Sequence, residues 1–349
     1  MKLGAMLRVR MAWAAHQGPL HEVVLSSRVR LARNVRGLPF PGHASGRVLG
    51  EVLAAAREAA AKARSLGKAA WIELADVDEV DREFLIERRL ISALLAREPR
   101  QRAVAVGERE LLSVMVNEED HLRLQAVDSG LCLEELLRHG LALEEELGRT
   151  IPYAVHPRLR HLTACPTNVG TGLRASCLMH LPALSLTGRL GPLLDELAPA
   201  GMTARGIHGE GTQVLGDLYQ ISNAVTLGHS EARIVAAVSK RVEALARREL
   251  DARRGLAAPG ARARAEDLVW RSIGLLANAR SMPYAEAVQH LSWARMASTL
   301  GWKAPASLAA INELILLTQP AHVQMLTGRP LDPVERDVLR AALLRKKFS

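Results

Sequence analysis

Cysteine is scarce. The chain of 349 residues has three, Cys132, Cys165 and Cys177, and no C-x-x-C pair. This excludes a disulfide framework and a cysteine-built zinc site, and it suits a reducing, cytoplasmic setting. Aromatic residues make up 3% of the chain, so its core must be built from Leu, Val, Ile and Ala. No uncharged apolar run is long enough to span a bilayer, and Arg8 and Arg10 interrupt the apolar N-terminus, so neither a membrane segment nor a secretory leader is expected. The familiar nucleotide and protease signatures (G-x-x-x-x-G-K-[ST], G-x-G-x-x-G, H-R-D with D-F-G, H-E-x-x-H) are missing too.

Positive charge is plentiful, and lysine supplies little of it. Of 46 basic residues against 37 acidic ones, 7 are Lys, and the formal charge is +9. Ala- and Arg-heavy codon usage accounts for much of this skew. The basic residues are scattered and few aromatics interleave them, which argues against a nucleic-acid surface. A polyanionic ligand held by particular arginines fits better, because a guanidinium matches phosphate oxygens bidentately.

Residues 1–255 read as an α+β unit and 256–349 as a small helical one. Val48–Leu66 and Leu131–Leu147 have helical periodicity, and so does the segment from Ser230 to Leu250, where Ile234, Val238, Val242 and Leu245 recur. Ala103–Val106 and Leu111–Val116 are β-rich runs around a Gly-Glu-Arg-Glu turn. Gly255, Pro259 and Gly260 read as a break, after which 264–279, 283–300, 306–317 and 332–346 are helical.

Four segments carry candidate chemistry. In Val23–Asn34 an extended chain puts Arg28 and Arg30 on one side, forming either a phosphate clamp or a solvated strand face. In Val114–Gln125 a β-rich run ends in three carboxylates followed by His121 and Arg123. Such a cluster is often solvated, but a carboxylate near an arginine suits a cationic substrate beside an anionic one. Leu162–Ser176 has Cys165 before Pro166, and Gly170 and Gly172 in a turn whose N–H groups are candidates for facing an anion. Arg174 is the positive neighbour that a reactive thiol would need, whereas Cys132 and Cys177 read as core. In Ala204–Gln213 Glu210 sits between glycines, as on a mobile loop.

Asn117-Glu-Glu-Asp-His121 and Cys165-Pro-Thr-Asn168, in this order and spacing, resemble the ATP:guanido phosphotransferases (phosphagen kinases) over about residues 20–255. The likeness is greatest to the bacterial branch that phosphorylates arginine in proteins. The strand around Ser26-Ser27-Arg28-Val29-Arg30 begins without the preceding helical domain of small-molecule kinases, and Arg336-Asp-Val-Leu-Arg-Ala341 matches the R-D-x-x-R-A motif of that branch.

The resemblance implies an antiparallel sheet flanked by helices, ATP and Mg²⁺ as cofactors, and no dedicated protein metal site. It implies that Glu119 and Glu210 orient a guanidinium beside Cys165. Arg28, Arg30, Arg123, Arg174 and Arg205 would hold phosphates, within a nucleotide-binding set of Ser26–Arg30, Arg89, Arg123, Arg174-Ala175-Ser176-Cys177-Leu178 and Arg205-Gly206-Ile207-His208-Gly209-Glu210. Arg89 stands where relatives commonly have histidine near the adenine, and His208 lies where they have tyrosine. Arg336, Asp337, Arg340 and Ala341 would recognise phosphoarginine, with Val334, Val338, Leu339 and Leu343 of the same helix packing inward. The implied partners are proteins with accessible arginines, a zinc-binding activator, a Clp-type protease, a stress-response repressor and a second copy of the chain. The other readings are a kinase for free arginine or another small guanidine, and a catalytically weak phosphoarginine reader.

Overall fold

The computed structural model describes residues 3–9, 11–15, 17–206 and 214–349. Glu210, Ile207, His208 and Gly209 of the expected site lie outside them.

An eight-stranded antiparallel sheet forms the centre. In chain order its strands are β1 (Val24–Arg33), β2 (Ala70–Glu73), β3 (Ala103–Val106), β4 (Leu112–Val116), β5 (Leu122–Ser129), β8 (Leu173–His180), β9 (Met202–Gly206) and β10 (Leu218–Asn223). β6 (Val155–His156) and β7 (Arg160–His161) form a separate two-stranded ribbon. The order across the sheet is β2-β3-β4-β5-β1-β8-β10-β9. The expected 103–106 and 111–116 hairpin is the β3–β4 pair.

β1 runs through the middle, where strand alternation creates two chemically different faces. Val29 pairs with Ala126 and Ala175, and Leu31 with Leu124 and Leu173. This apolar face lies in the main core, against α4 (Leu133–Gly148) and α7 (Glu231–Ala257). At Gly140 α4 meets this face closely enough that a Cβ would make ordinary van der Waals contact with Leu31 Cδ1 (3.6 Å) and Val29 Cγ1 (3.7 Å). The opposite face carries the arginines. α1 (Gly46–Lys62) flanks the sheet, and α2 (Glu79–Glu87) and α3 (Ala93–Arg97) cover the β2–β4 end of the arginine face with a second apolar cluster.

After the short α5 (Pro182–Leu186) and α6 (Leu190–Asp195), the chain is helical from α7 onward: α8 (Pro259–Asn278), α9 (Tyr284–Thr299), α10 (Leu308–Leu317), α11 (Pro320–Thr327) and α12 (Pro333–Phe348). The break expected at 251–260 is much narrower. α7 continues through Gly255, and only Ala258, with ψ 149°, leaves the helix before Pro259 starts α8. Burial of Ala252, Arg253 and Leu256 along that turn outweighs the ~1 kcal/mol cost of a helical glycine. Helix α11 had no sequence signal beyond Pro320 at its first turn.

The expected orientation of α12 is also corrected. Val334 and Val338 are exposed, at 70% and 45%, and the buried residues are Arg340, Ala341, Leu344 and Phe348. Arg340 therefore faces inward, where it donates to Thr318 O (2.6 Å), Met282 O (2.8 Å) and the Asp337 carboxylate.

The helical region is tied to the sheet by buried charge. Glu249 on α7 accepts from the Ala183 and Leu184 N–H groups at the start of α5 (3.1 and 2.9 Å) and from Arg253 Nε (2.7 Å). Arg253 reaches His180 O on β8 (3.0 Å), and Arg295 on α9 donates to His180 Nδ1 (2.9 Å), Asn312 Oδ1 on α10 (2.9 Å) and Glu22 O (2.7 Å). With both guanidinium groups against Nδ1, His180 must donate from Nε2 to Ser292 Oγ (2.8 Å) and stay neutral. Burial, then Arg295 and Arg253, hold its pKa far below the ordinary value.

Glu249→Gln is expected to lose about 3–5 kcal/mol of stability, because it leaves the buried Arg253 guanidinium without its paired carboxylate. Denaturant titration of the full chain measures this; an unchanged midpoint would contradict the role given to Glu249.

Candidate active site

The arginines meet because of strand register. Arg28 and Arg30 are two residues apart on β1, and Arg30 lies opposite Arg174 on β8 and Gln125 on β5. Arg123 is opposite Ala32, and Arg205 on β9 is opposite Gln220, itself paired with Leu178. All five guanidinium-bearing positions thus fall on one face of four strands.

Among the described residues Arg28 and Arg30 form no ion pair, and Arg30 Nε has no hydrogen-bond partner. Burial, then repulsion from Arg30, Arg89, Arg123 and Arg174, pulls the Arg28 pKa well down. Burial, then Arg123 and Arg174, brings Arg30 to about 9, with Glu118 opposing. A guanidinium gives up its proton reluctantly, so such a cluster is relieved by an anion. A cavity of about 580 Å³ opens here, lined by Arg28, Arg30, Arg89 and Arg205.

Strand alternation divides the expected binding set between the two faces of the sheet. Ser26, Ser176 and Leu178 share the arginine face, and Leu178 and Gly206 line the cavity. Ser27, Val29, Ala175 and Cys177 point the other way. Ser27 Oγ donates to Gly130 O at 2.7 Å and lies 3.3 Å from Cys177 Sγ, whose thiol burial pushes up to about 12.

The β4–β5 hairpin divides its labour sharply. Asn117 takes a left-handed conformation (φ 60°), which Asn tolerates, and donates to Leu49 O (2.9 Å) and Gln101 O (2.8 Å). Glu118, 4% exposed, accepts from Ser92 Oγ and pairs with Arg123 at 2.6 Å. Asp120 accepts from Asn34 Nδ2 (2.6 Å) and Ala164 N (2.7 Å). His121 Nδ1 accepts from Val35 N (3.1 Å), and burial lowers its pKa to about 4, a structural role. Glu119 alone of these has a side chain as much as 37% exposed, 3.3 Å from Arg123. Its pKa is raised, first by desolvation and then by Asp120 and Glu118, with Arg123 opposing.

Asp120 also fixes the cysteine loop. Its bond to Ala164 N puts Glu119 and Cys165 one residue either side of a 2.7 Å contact. Cys165 is partly exposed, with Sγ 2.9 Å from Thr167 Oγ1. The glycine turn does not present its amides to an anion: Gly170 N bonds His161 O and Gly172 N bonds Asn168 O. Gly172 is nevertheless required, at φ 62°, because a Cβ would come 2.6 Å from Ala32 O. Asn34 and Asp120, the scaffold of both loops, had no separate sequence signal. Among the described residues no cluster of His, Cys, Asp and Glu could hold a metal ion, and no helix is long and apolar enough to cross a membrane.

Residues 51–252 match the family model of the ATP:guanido phosphotransferase C-terminal catalytic domain. The chain belongs to that family. Residues 262–349 match the protein-arginine kinase McsB C-terminal domain. A protein-arginine kinase of Symbiobacterium thermophilum is 43% identical, with 98% of each chain covered, and one of Geobacillus stearothermophilus is 42% identical, covering 97% of this chain and 93% of the other. Among solved structures, lombricine kinase superposes with a TM-score of 0.60 at 27% identity, covering 69% of this chain and 70% of the other. The duplicated taurocyamine kinase of Schistosoma mansoni, with bound transition-state-analogue components, gives 0.59 at 26% identity, covering 67% and 34%. As a phosphotransferase of this family, the protein is a kinase for which ATP and, typically, Mg²⁺ are implied.

Asp120→Ala is expected to lower the phosphoryl-transfer kcat by about 10²-fold, the order of effect that an ångström-scale displacement causes, with little change in ATP affinity. Steady-state kinetics with calorimetry separate the two; equal losses in both would contradict a purely positioning role.

Proposed function

We propose that this protein transfers the γ-phosphoryl group of ATP to the guanidinium of arginine residues in proteins. The observation that carries the reading is the joining of two parts in one chain. A guanido-phosphotransferase sheet bearing the arginine face is followed by helices that match the protein-arginine kinase C-terminal domain. Relatives at about 40% identity over nearly their whole length carry the name protein-arginine kinase.

The site is positive on one side and negative on the other, which matches a triphosphate and a guanidinium. Phosphoryl transfer depends mainly on positioning and charge neutralisation. Arg28, Arg30, Arg123, Arg174 and Arg205 bind the phosphates and hold the γ-phosphorus in line. Glu119, with Glu210, grips the acceptor N–H groups and takes the proton as a nitrogen lone pair attacks phosphorus, forming the P–N bond while the bond to ADP breaks. Cys165, placed near Glu119 through the bond from Ala164 N to Asp120, belongs to the acceptor side. Mg²⁺ supplies charge neutralisation at the phosphates. An ion held by phosphate oxygens and water would need no protein cage.

The proposal extends to regulation and partners. Arg336 lines a cavity of about 380 Å³ with Glu79, Glu83, Glu87 and Gln324, where the arginine suits a phosphoryl group and the carboxylates a guanidinium. Arg340 and Ala341 are buried and hold the helix behind them. Homodimerisation, a zinc-binding activator, a stress-response repressor and delivery of marked proteins to a Clp-type protease in the cytoplasm belong to the reading through family likeness alone.

Incubation with ATP·Mg²⁺ and an unfolded protein is expected to yield acid-labile phosphoarginine by mass spectrometry, far more than free L-arginine yields. Absence of phosphoarginine on the protein would refute the assignment. Glu119→Gln is expected to cost about 10²-fold or more in kcat. Because the Glu119 pKa is raised and the carboxylate is the working form, activity should be complete above that raised pKa and fall as pH drops through it. The acidic limb of the pH–rate profile should therefore lie above the ordinary glutamate value and be absent from the residual activity of the variant. Arg336→Ala should abolish any response to added phosphoarginine at unchanged stability, whereas Arg340→Ala should destabilise the fold by about 3 kcal/mol. Thermal melts and activity assays distinguish the two.

A further inference from the structure

The Cys165 loop is held from two sides. Before the cysteine, Asp120 accepts from Ala164 N and ties the loop to the hairpin that carries Glu119. After it, the Thr226 hydroxyl lies 2.9 Å from Thr167 O and 2.7 Å from Val169 O, and shares its one proton between them. Thr226 belongs to the connection between β10 and α7 and is 5% exposed. Its own carbonyl accepts from Thr171 N at 3.4 Å. At Gly170 (φ 112°) a Cβ would stand 2.8 Å from that carbonyl and 2.9 Å from Leu227 Cα, so the two segments pack backbone against backbone.

Three residues back, at the end of β10, Asn223 grips the phosphate side. Its Oδ1 accepts from Ala175 N at 2.8 Å, and its Nδ2 donates to Leu173 O at 3.0 Å and to Val225 O at 3.2 Å. Leu173 and Ala175 flank Arg174 on β8, and Arg174 lies opposite Arg30. One buried amide therefore fixes the backbone that carries a phosphate arginine. Through Val225 O it also fixes the residue before Thr226. Neither Asn223 nor Thr226 lines the 580 Å³ cavity, and neither falls within the four segments whose residue types suggested chemistry.

We propose that Asn223 and Thr226 are positioning residues for phosphoryl transfer: they join the Arg174 strand to the cysteine loop and so set the separation between the phosphate and acceptor sides. This rests on the reading that Arg174 serves the phosphates and Cys165 the acceptor. Attack of a nitrogen on phosphorus is sensitive to that separation, and a misplacement of about 1 Å costs on the order of 10²-fold in rate. Hydrogen bonds from a neutral amide and a hydroxyl hold the distance without adding charge between a polyanion and a cationic acceptor. Asp120 and Thr226 divide the work, one placing the loop against Glu119 and the other against β8.

The test is steady-state phosphorylation of an unfolded protein by the full chain, by Thr226→Val, which keeps the shape and removes the hydroxyl, and by Thr226→Ser, which restores it. Thr226→Val is expected to lower kcat about tenfold with KM for ATP·Mg²⁺ within about twofold of the parent, and Thr226→Ser to recover most of the loss. Asn223→Ala, a second and independent variant, acts on β8 as well and should lower kcat and raise KM for ATP·Mg²⁺ about threefold or more. Hydrogen exchange of the parent and Thr226→Val gives a readout separate from turnover: amides of residues 167–172 should exchange faster in the variant, and those of the β4–β5 hairpin should not. Unchanged kcat in Thr226→Val and Asn223→Ala, a loss that Thr226→Ser does not recover, or faster exchange throughout the sheet would overturn the proposal while leaving the arginine-kinase reading intact. A parent that forms no phosphoarginine would overturn both.

Discussion

Positive charge gathered on one face of a buried sheet is the constraint around which this protein is organised. Arg28 and Arg30 sit side by side on the central strand, with Arg174 across one strand boundary and Arg123 one strand away on the other side. Arg28 and Arg30 are desolvated by their surroundings and repelled by the neighbouring arginines. A fold tolerates such a face only if other parts of the structure hold it rigid. The apolar opposite face against α4 and α7 does this, and the Glu118–Arg123 pair neutralises the rim of the cluster, while Arg28 and Arg30 form no ion pair among the described residues.

The acceptor side shows how few residues stay free in a site of this kind. Of the five residues Asn117 to His121, four have side chains engaged in holding the hairpin to Leu49, Ser92, Ala164 and Val35, and Glu119 projects. The same bonds place the Cys165 loop. A carboxylate that must grip a guanidinium at a fixed angle needs this kind of support, because chemistry between two bound groups is sensitive to their relative orientation.

Much of this was legible in the sequence, and the exceptions have physical causes. Strand alternation predicted that Arg28 and Arg30 share a face, and the same rule turns the side chains of Ser27, Val29, Ala175 and Cys177 to the opposite face. The α12 error has a similar source. Val334 and Val338 read as a core stripe by hydropathy, yet the buried stripe contains Arg340, whose guanidinium finds carbonyl partners that no local pattern reveals. Gly255 read as a helix break because its propensity cost is local, whereas the packing that overrides it comes from distant elements. The roles of Asp120 and Asn34 depend on partners 44 or more residues away.

The buried network of Glu249, Arg253, Arg295 and His180 joins the helical region to β8, the strand that carries Arg174, and Arg340 holds the carbonyl of Thr318, next to Gln319 of the cavity wall. Sheet and helices are therefore one mechanical unit around one cavity. The claim beneath all of this is that the arginine face is a cradle for phosphate. The salt dependence of ATP·Mg²⁺ affinity, measured for the parent chain and for Arg30→Gln, tests it most directly. The account predicts that the parent binds best at low salt and weakens as salt rises, that Arg30→Gln binds more weakly at low salt, and that the gap between them narrows at high salt as screening takes over. Superimposable curves for the two proteins would contradict it.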